Sequence, residues 1–175
     1  MKKIILSLFS VAAIAAIVLI SCQKENDGGG SGSTMLRVNM TDAPFAADSV
    51  NVDIRQVRVN YRGDSTQWAD LNTVAGVYDL LGLQNGVDTL IASGVIPSNS
   101  VKQIRFVLGT NNTIVVNGVS YPLTIPSGAE SGLKLNIDKQ LNGQLDSILI
   151  DFDAAMSIHQ TGNGTYMLRP VLKIK

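Results

Sequence analysis

Residues 50–61 decide the fold, and they read VNVDIRQVRVNY. Apolar residues stand at the even positions of 50–54, alternating with polar ones, which is the two-residue period of a half-buried β-strand. From 57 to 61 the apolar or aromatic residues stand at odd positions instead. One extra residue at Arg55-Gln56 within a single long strand would produce that change of phase. The stretch therefore predicts a long strand with a β-bulge near its centre.

The same period recurs along the rest of the chain, at 36–40, 104–108, 119–125, 133–137, 148–152 and 166–174. Asn-Gly pairs separate several of these stretches, and Asn-Gly accepts the positive φ angles of a type I′ hairpin turn. The pairs at 117–118 and 142–143 predict hairpins, and 166–175 predicts a terminal strand. We expect a single all-β domain over residues 34–175, folded as an antiparallel β-sandwich.

The charge balance argues against a nucleic-acid partner. The chain carries 14 basic and 14 acidic side chains in 175 residues. Without Lys2 and Lys3, which belong to the predicted leader over residues 1–21, the chain has 12 basic and 14 acidic side chains. A nucleic-acid binder needs a clustered cationic footprint, and the sequence has no basic cluster. Its single cysteine also excludes an intrachain disulfide.

Residues 1–21 have the order of a secretory signal peptide, with two lysines, an apolar run over 4–20 and a small residue before the cut. Leu19-Ile20-Ser21-Cys22 matches the bacterial lipobox, in which the cysteine receives a diacylglyceryl group. We therefore expect Cys22 to carry acyl chains such as palmitate and to anchor the mature protein in a membrane. The alternative is an uncleaved anchor, although a run of 17 residues, two of them serines, falls short of the usual span of about 20.

Residues 22–33 predict a flexible polar tether. Their Gly-Ser run behaves as a random coil, and a dozen such residues span about 20 Å on average. Lys24-Glu25 and the polar residues beside them resemble the surface-export signal of some Gram-negative outer-membrane lipoproteins. We expect a cell-envelope location at the surface of the outer membrane. A plain spacer on the periplasmic face is the alternative.

Several segments resemble a family known as domain of unknown function 4382, which is common among exported bacterial lipoproteins. The matching segments are 36–44, 50–59, Trp68, 78–83, 103–108, 125–128, 149–154 and 168–172. Together they cover nearly all of the exported domain. The resemblance implies a sandwich of the immunoglobulin or transthyretin kind. It implies no activity, because the members of the family have no agreed activity.

Asp42, Asp151 and Asp153 are the candidate metal ligands. Asp151 and Asp153 are two residues apart, so on one strand both carboxylates would project from the same face. Calcium takes oxygen ligands of this kind, and Asp42 would complete a site if its loop lies near. The alternatives are that Asp42 hydrogen-bonds its own turn and that the other two face water or Arg169.

Trp68 is the candidate ligand-binding residue, because it follows a turn and is the aromatic side chain that we most expect to be exposed. An exposed indole can stack on a sugar, whereas most strand aromatics belong to the core. Four Asp-Ser or Asp-Thr dipeptides resemble a short bacterial O-glycosylation sequon, or are ordinary turns. Their hydroxyl residues are Ser49, Ser65, Thr89 and Ser147.

His159 is the only histidine, and no cysteine or second histidine can complete a thiol–histidine pair or a zinc site with it. No serine lies in a nucleophile-elbow sequence. We therefore expect no enzyme and no cofactor, with calcium as the one candidate exception. The expected role is a lipid-anchored binding or adhesion module for an envelope protein or glycan. A structural subunit that pairs strands with a partner is a further alternative.

Overall fold

A computed structural model describes residues 32–63, 66–126 and 132–175 of the chain. Residues 32–175 fall within one compact unit. The described strands, in chain order, are β1 (Thr34–Thr41), β2 (Ser49–Asn60), β3 (Trp68–Asp70), β4 (Asn72–Thr73), β5 (Gly76–Asp79), β6 (Thr89–Ile96), β7 (Ser100–Leu108), β8 (Thr113–Val116), β9 (Val119–Thr124), β10 (Leu133–Gln140), β11 (Leu145–Phe152), β12 (Ile158–Gln160), β13 (Tyr166–Leu168) and β14 (Leu172–Ile174). A 3-10 turn over Leu80–Leu83 and a short helix, α1 (Ala154–Ser157), complete the elements. No helix within these residues is long and apolar enough to cross a membrane.

The strands form two sheets that pack into a sandwich, as the sequence predicts. The smaller sheet has the order β14-β11-β1-β6-β4. The larger has the order β10-β7-β2-β8-β9-β13-β12, with β3 and β5 paired along β2. Between the sheets lies a core of buried Val, Leu, Ile, Met and Phe side chains, with Phe106 and Phe152 the largest. Burial of alternate strand residues is what the two-residue period requires.

The long strand with a central bulge is confirmed in β2. Its pairing with β7 shifts register between Ile54 and Gln56, which is where the apolar phase changes. Val52 and Val57 are both fully buried although their positions differ in parity. The bulge therefore lets one strand keep its apolar residues on the core face along its whole length.

Most strand pairs are antiparallel, as expected, but each sheet also contains one parallel pair. β1 pairs with β11 in parallel, and so does β13 with β9. The hairpin at 117–118 is confirmed, with φ angles of 52° at Asn117 and 74° at Gly118. The hairpin at 142–143 is wrong, because β10 pairs in the larger sheet and β11 in the smaller one. That Asn-Gly pair joins the two sheets instead.

The single terminal strand expected over 166–175 is also wrong. β13 belongs to the larger sheet, whereas β14 pairs with β11 in the smaller sheet. Pro170 lies between them, and proline offers no N–H to a sheet. The next amide, on Val171, donates to the Ser157 hydroxyl instead. The chain therefore changes sheets at Pro170.

Candidate functional site

Trp68 opens β3 at one edge of the larger sheet, opposite Asn60 of β2. The guanidinium carbon of Arg105 lies 4.4 Å from the centroid of its ring, and that of Arg58 lies 5.9 Å away. Both separations lie within the range of a cation–π interaction. Trp68 is consequently half-buried rather than freely exposed, which corrects the expectation of an open stacking residue.

Both arginines belong to a row of charged residues that crosses four strands. Asp70 of β3 stands opposite Arg58 of β2, Arg58 opposite Arg105 of β7, and Arg105 opposite Lys134 of β10. The row points outward, because residues on either side of it in β2 and β7, such as Val57, Val59, Ile104 and Phe106, are buried in the core. Arg58 Nε donates to Asp70 Oδ1. Three cations therefore share an outer face with one carboxylate in this row.

A row of amides runs beside the charged row. Gln103 of β7 lies opposite Asn136 of β10 and donates to its Oδ1 at 2.8 Å. The Nε of Arg105 is buried and has no hydrogen-bond partner among the described residues. A buried donor of this kind loses its hydration without compensation unless something accepts from it. We call this surface, made by Trp68, Arg58, Arg105, Lys134 and Gln103, the Trp68 face.

The sequence signals Trp68 but not its partners. Arg105 lies 37 positions away, and only strand pairing brings it to the indole. The available signal is the alternation over residues 103–108, which places Arg105 on the side away from Ile104 and Phe106. Nothing in that alternation identifies β2 and β10 as the flanking strands.

Asp42 and Asp151 are brought together by the parallel pairing of β1 and β11, which sets Thr41 opposite Asp151. Asp42 is buried, and its Oδ1 accepts from the backbone N–H of Ala154 at 2.8 Å. Burial raises the pKa of Asp42 to about 6, and the negative charge of Asp151 adds to the rise. The Oδ1 of Asp151 is buried and has no hydrogen-bond partner among the described residues.

Asp153 does not lie on the strand with Asp151, which corrects the expected arrangement. β11 ends at Phe152, and Asp153 caps α1 by accepting from the N–H of Met156 at 2.9 Å. Its other oxygen accepts from the ammonium of Lys173 at 2.6 Å, and this hydrogen bond lowers the pKa of the Asp153 carboxyl. Lys175 lies 3.4 Å from Asp151 Oδ2. Asp151 and Asp153 therefore already have lysine counter-charges from the C-terminal end of the chain.

Calcium binding gains no geometric support from this arrangement. Within 32–63, 66–126 and 132–175, no three His, Cys, Asp or Glu side chains are placed to hold a metal ion. Asp153 is engaged by a helix cap and a lysine, and Lys175 lies beside Asp151. The calcium site stays a prediction.

A buried polar site that no sequence pattern indicates lies around Asp53. This carboxylate is fully buried, and its Oδ2 accepts from Arg55 at 2.8 Å and from the N–H of Asn111 at 3.2 Å. The backbone of Gly109 is so close that a Cβ there would overlap the same oxygen. The main chain of Asp53 also bonds to Gly109 and Asn112. These contacts hold the loop between β7 and β8 against β2.

The remaining candidate residues lie apart from these sites. Ser49 and Thr89 are half-buried and Ser147 is exposed, at the ends or along the length of three different strands. His159 is exposed on β12, in register with Met167 of β13. Ser65, Cys22 and the predicted signal peptide lie outside the described residues, as does all of the tether except 32–33.

The fold and the Trp68 face define an all-β sandwich with a cationic and aromatic outer surface. The chain belongs to the family described as domain of unknown function DUF4382, whose model matches residues 33–170. No curated protein and no solved structure matches the chain. The immunoglobulin-like or transthyretin-like character of the sandwich therefore stays a prediction.

Proposed function

We propose that the protein is a lipid-anchored lipoprotein of the cell envelope whose β-sandwich acts as a non-enzymatic binding module. The Trp68 face carries this proposal, because it combines an aromatic ring, stacked guanidinium groups and hydrogen-bonding amides on the outer surface of one sheet. Aromatic and arginine side chains dominate the energetics of recognition surfaces. The lipobox at Cys22 supports the anchor, and Lys24-Glu25 supports an outer-membrane surface location.

The chemistry of the face favours an acidic glycan as ligand. Arg58, Arg105 and Lys134 outnumber the single carboxylate of Asp70 in the charged row, so the row has a net positive charge. Arginine matches the two oxygens of a carboxylate, and the indole holds the Arg105 guanidinium in place beside it. The buried, unpartnered Nε of Arg105 would reach a ligand acceptor only if the guanidinium moved from its place against Trp68.

Binding to a polyuronate and to neutral dextran, measured by calorimetry, tests this function. We expect the mature protein to bind the polyuronate, with an affinity that falls as the salt concentration is raised, and not to bind dextran. Arg105→Ala should weaken binding about tenfold or more. The affinity of Arg105→Lys should lie between those of the unaltered protein and Arg105→Ala, because lysine keeps the charge but cannot donate in a bidentate way.

Arg169→Ala serves as the matched control, because Arg169 is an exposed arginine with no place in the charged row. It should bind as the unaltered protein does. If Arg105→Ala and Arg169→Ala weakened polyuronate binding equally, the interaction would be a nonspecific charge attraction. Equal binding of dextran and polyuronate would contradict an acidic ligand.

The anchor is tested separately by Cys22→Ser in a Gram-negative host. The unaltered chain should lose residues 1–21, gain the mass of a diacylglyceryl group and an acyl chain, and partition into detergent. Cys22→Ser should do none of these, because the thioether needs the cysteine sulfur. Ser21→Ala is the control, since it keeps a small residue before the cut and should be processed normally. A Cys22→Ser protein with unchanged mass shift would reject the anchor.

Two alternative functions have their own tests. Calcium binding predicts that calcium raises the melting temperature and that Asp151→Asn abolishes the rise. Strand pairing predicts that removal of 172–175 abolishes assembly. Strand pairing through β14 has less support, because β14 carries Lys173 and borders Lys175. Lysine on an edge strand disfavours edge-to-edge pairing.

A further inference from the structure

The outer face of the smaller sheet carries a row of exposed apolar side chains at one end. Met35 of β1 stands opposite Val95 of β6 on one side and Leu145 of β11 on the other. Their exposed fractions are 40% for Met35, 60% for Val95 and 56% for Leu145. Three large apolar residues in register across adjacent strands make a continuous patch rather than scattered exposure. We call these three residues the apolar row.

The apolar row is followed on the same face by a row of short polar residues around one cation. Arg37 is flanked by Ser93 and Ser147, and all three point away from the core. Arg37 is exposed and forms no ion pair with another described residue. The face is therefore apolar at its end and cationic immediately behind, in the order that a lipid surface with anionic headgroups would accommodate.

We propose that this face docks on the lipid surface that holds the Cys22 anchor. The inference rests on the proposed lipidation, since the anchor brings the domain to a membrane. Residues 22–33 join Cys22 to β1, and Met35 is the second residue of that strand. Twelve residues span about 20 Å, so Met35 is close along the chain to the bilayer, and strand pairing places Val95 and Leu145 beside it.

A lipid surface fits the apolar row better than a second copy of the chain does. A stable protein interface buries about 800 Å² on each partner, which requires some 20 to 30 residues. The row has three residues, and the polar row beside it offers little further apolar area. Insertion into a headgroup layer needs no matching shape, and a tethered domain needs little added affinity to stay docked.

Docking would also set the orientation of the domain. The apolar row lies on the outer face of the smaller sheet, and the Trp68 face lies on the outer face of the larger one. In a sandwich these two surfaces point in opposite directions. A domain resting on its smaller sheet therefore presents the Trp68 face away from the membrane, where a ligand can reach it.

Quenching by brominated lipids tests the proposal on the mature, lipidated protein in vesicles of phosphatidylcholine and phosphatidylglycerol. Trp68→Phe first removes the only tryptophan. Met35→Trp in that background should then be quenched by bromine on the acyl chains. Val77→Trp is the matched control, because Val77 is 52% exposed on β5 of the opposite sheet, and its indole should keep its emission.

Each result of this experiment decides the question. Quenching confined to Met35→Trp supports docking. Docking would be overturned by equal quenching of both indoles or by quenching of neither. It would also be overturned if the emission of the Met35→Trp variant changed on dimer formation without vesicles. Intact mass and vesicle flotation separate the two proposals: an undocked domain still floats with its vesicles, whereas a chain without lipid on Cys22 rejects the anchor and the docking together.

Discussion

Gly109→Ala should lower the free energy of unfolding by about 3 kcal/mol, at the upper end of the usual cost of overpacking. A Cβ at this position would overlap Asp53 Oδ2 and lie 2.6 Å from Arg55 Nε. Asp53 is fully buried and cannot move without loosening its bonds to Arg55 and to the N–H of Asn111. A buried carboxylate that loses its partners is strongly destabilising. Urea unfolding followed by Trp68 emission measures the effect.

Gly76→Ala is the matched control for this prediction. Gly76 also lies beside β2, in β5, but a Cβ there meets no atom within 4 Å. We expect a change of at most about 0.5 kcal/mol in either direction, because alanine restricts the unfolded chain and meets no obstacle in the folded one. Similar losses in both variants would show that the contact between Gly109 and Asp53 is not what makes residue 109 sensitive.

Asp42→Asn should stabilise the protein at pH 8 by about 2–3 kcal/mol and have little effect at pH 4. The pKa of Asp42 is about 6 in the folded protein against an ordinary value of 3.8, so the folded protein holds a proton that the unfolded chain releases. The unaltered protein therefore loses stability as pH rises from about 4 to 6, at about 1.4 kcal/mol for each unit of the shift. Asparagine stays neutral throughout, and its oxygen can still accept from Ala154.

The test is chemical denaturation between pH 4 and pH 8. Asp153 acts in the opposite sense, because its pKa is lowered and its stabilisation is lost only as pH falls below about 4. Asp138→Asn is the control, since this carboxylate is exposed beside Lys102 and should change stability by less than about 1 kcal/mol. A stability gain from Asp42→Asn that is the same at both pH values would contradict the buried ionisable group.

Local sequence patterns predict the strands better than they predict the pairing of strands. The bulge in β2 follows from a change of apolar phase within a dozen residues, and the turn at 117–118 follows from the φ preference of Asn-Gly. The same Asn-Gly signal fails at 142–143, because turn preference does not say whether the next strand stays in the same sheet. Parallel pairing of β1 with β11 joins residues more than 100 positions apart and leaves no local pattern.

The candidate sites illustrate the same limit. Trp68 stands out in the sequence as the only tryptophan, but its contact with Arg105 depends on the pairing of β2 with β7. The bond between Asp42 and Ala154 joins residues 112 positions apart. Gly109 is needed because Asp53 lies against it, and a glycine in a loop has no distinguishing mark in the sequence. Each of these sites is a product of tertiary packing.

The emission of Trp68 during titration with a polyuronate tests the binding face most directly, because the protein has no other tryptophan. A ligand carboxylate that draws the Arg105 guanidinium from its place 4.4 Å from the ring would change the emission. We predict a saturable change with the same dissociation constant as calorimetry gives, together with protection from acrylamide, and neither effect from dextran. Binding seen by calorimetry with Trp68 emission and acrylamide quenching unchanged would place the ligand elsewhere and contradict a binding role for the Trp68 face.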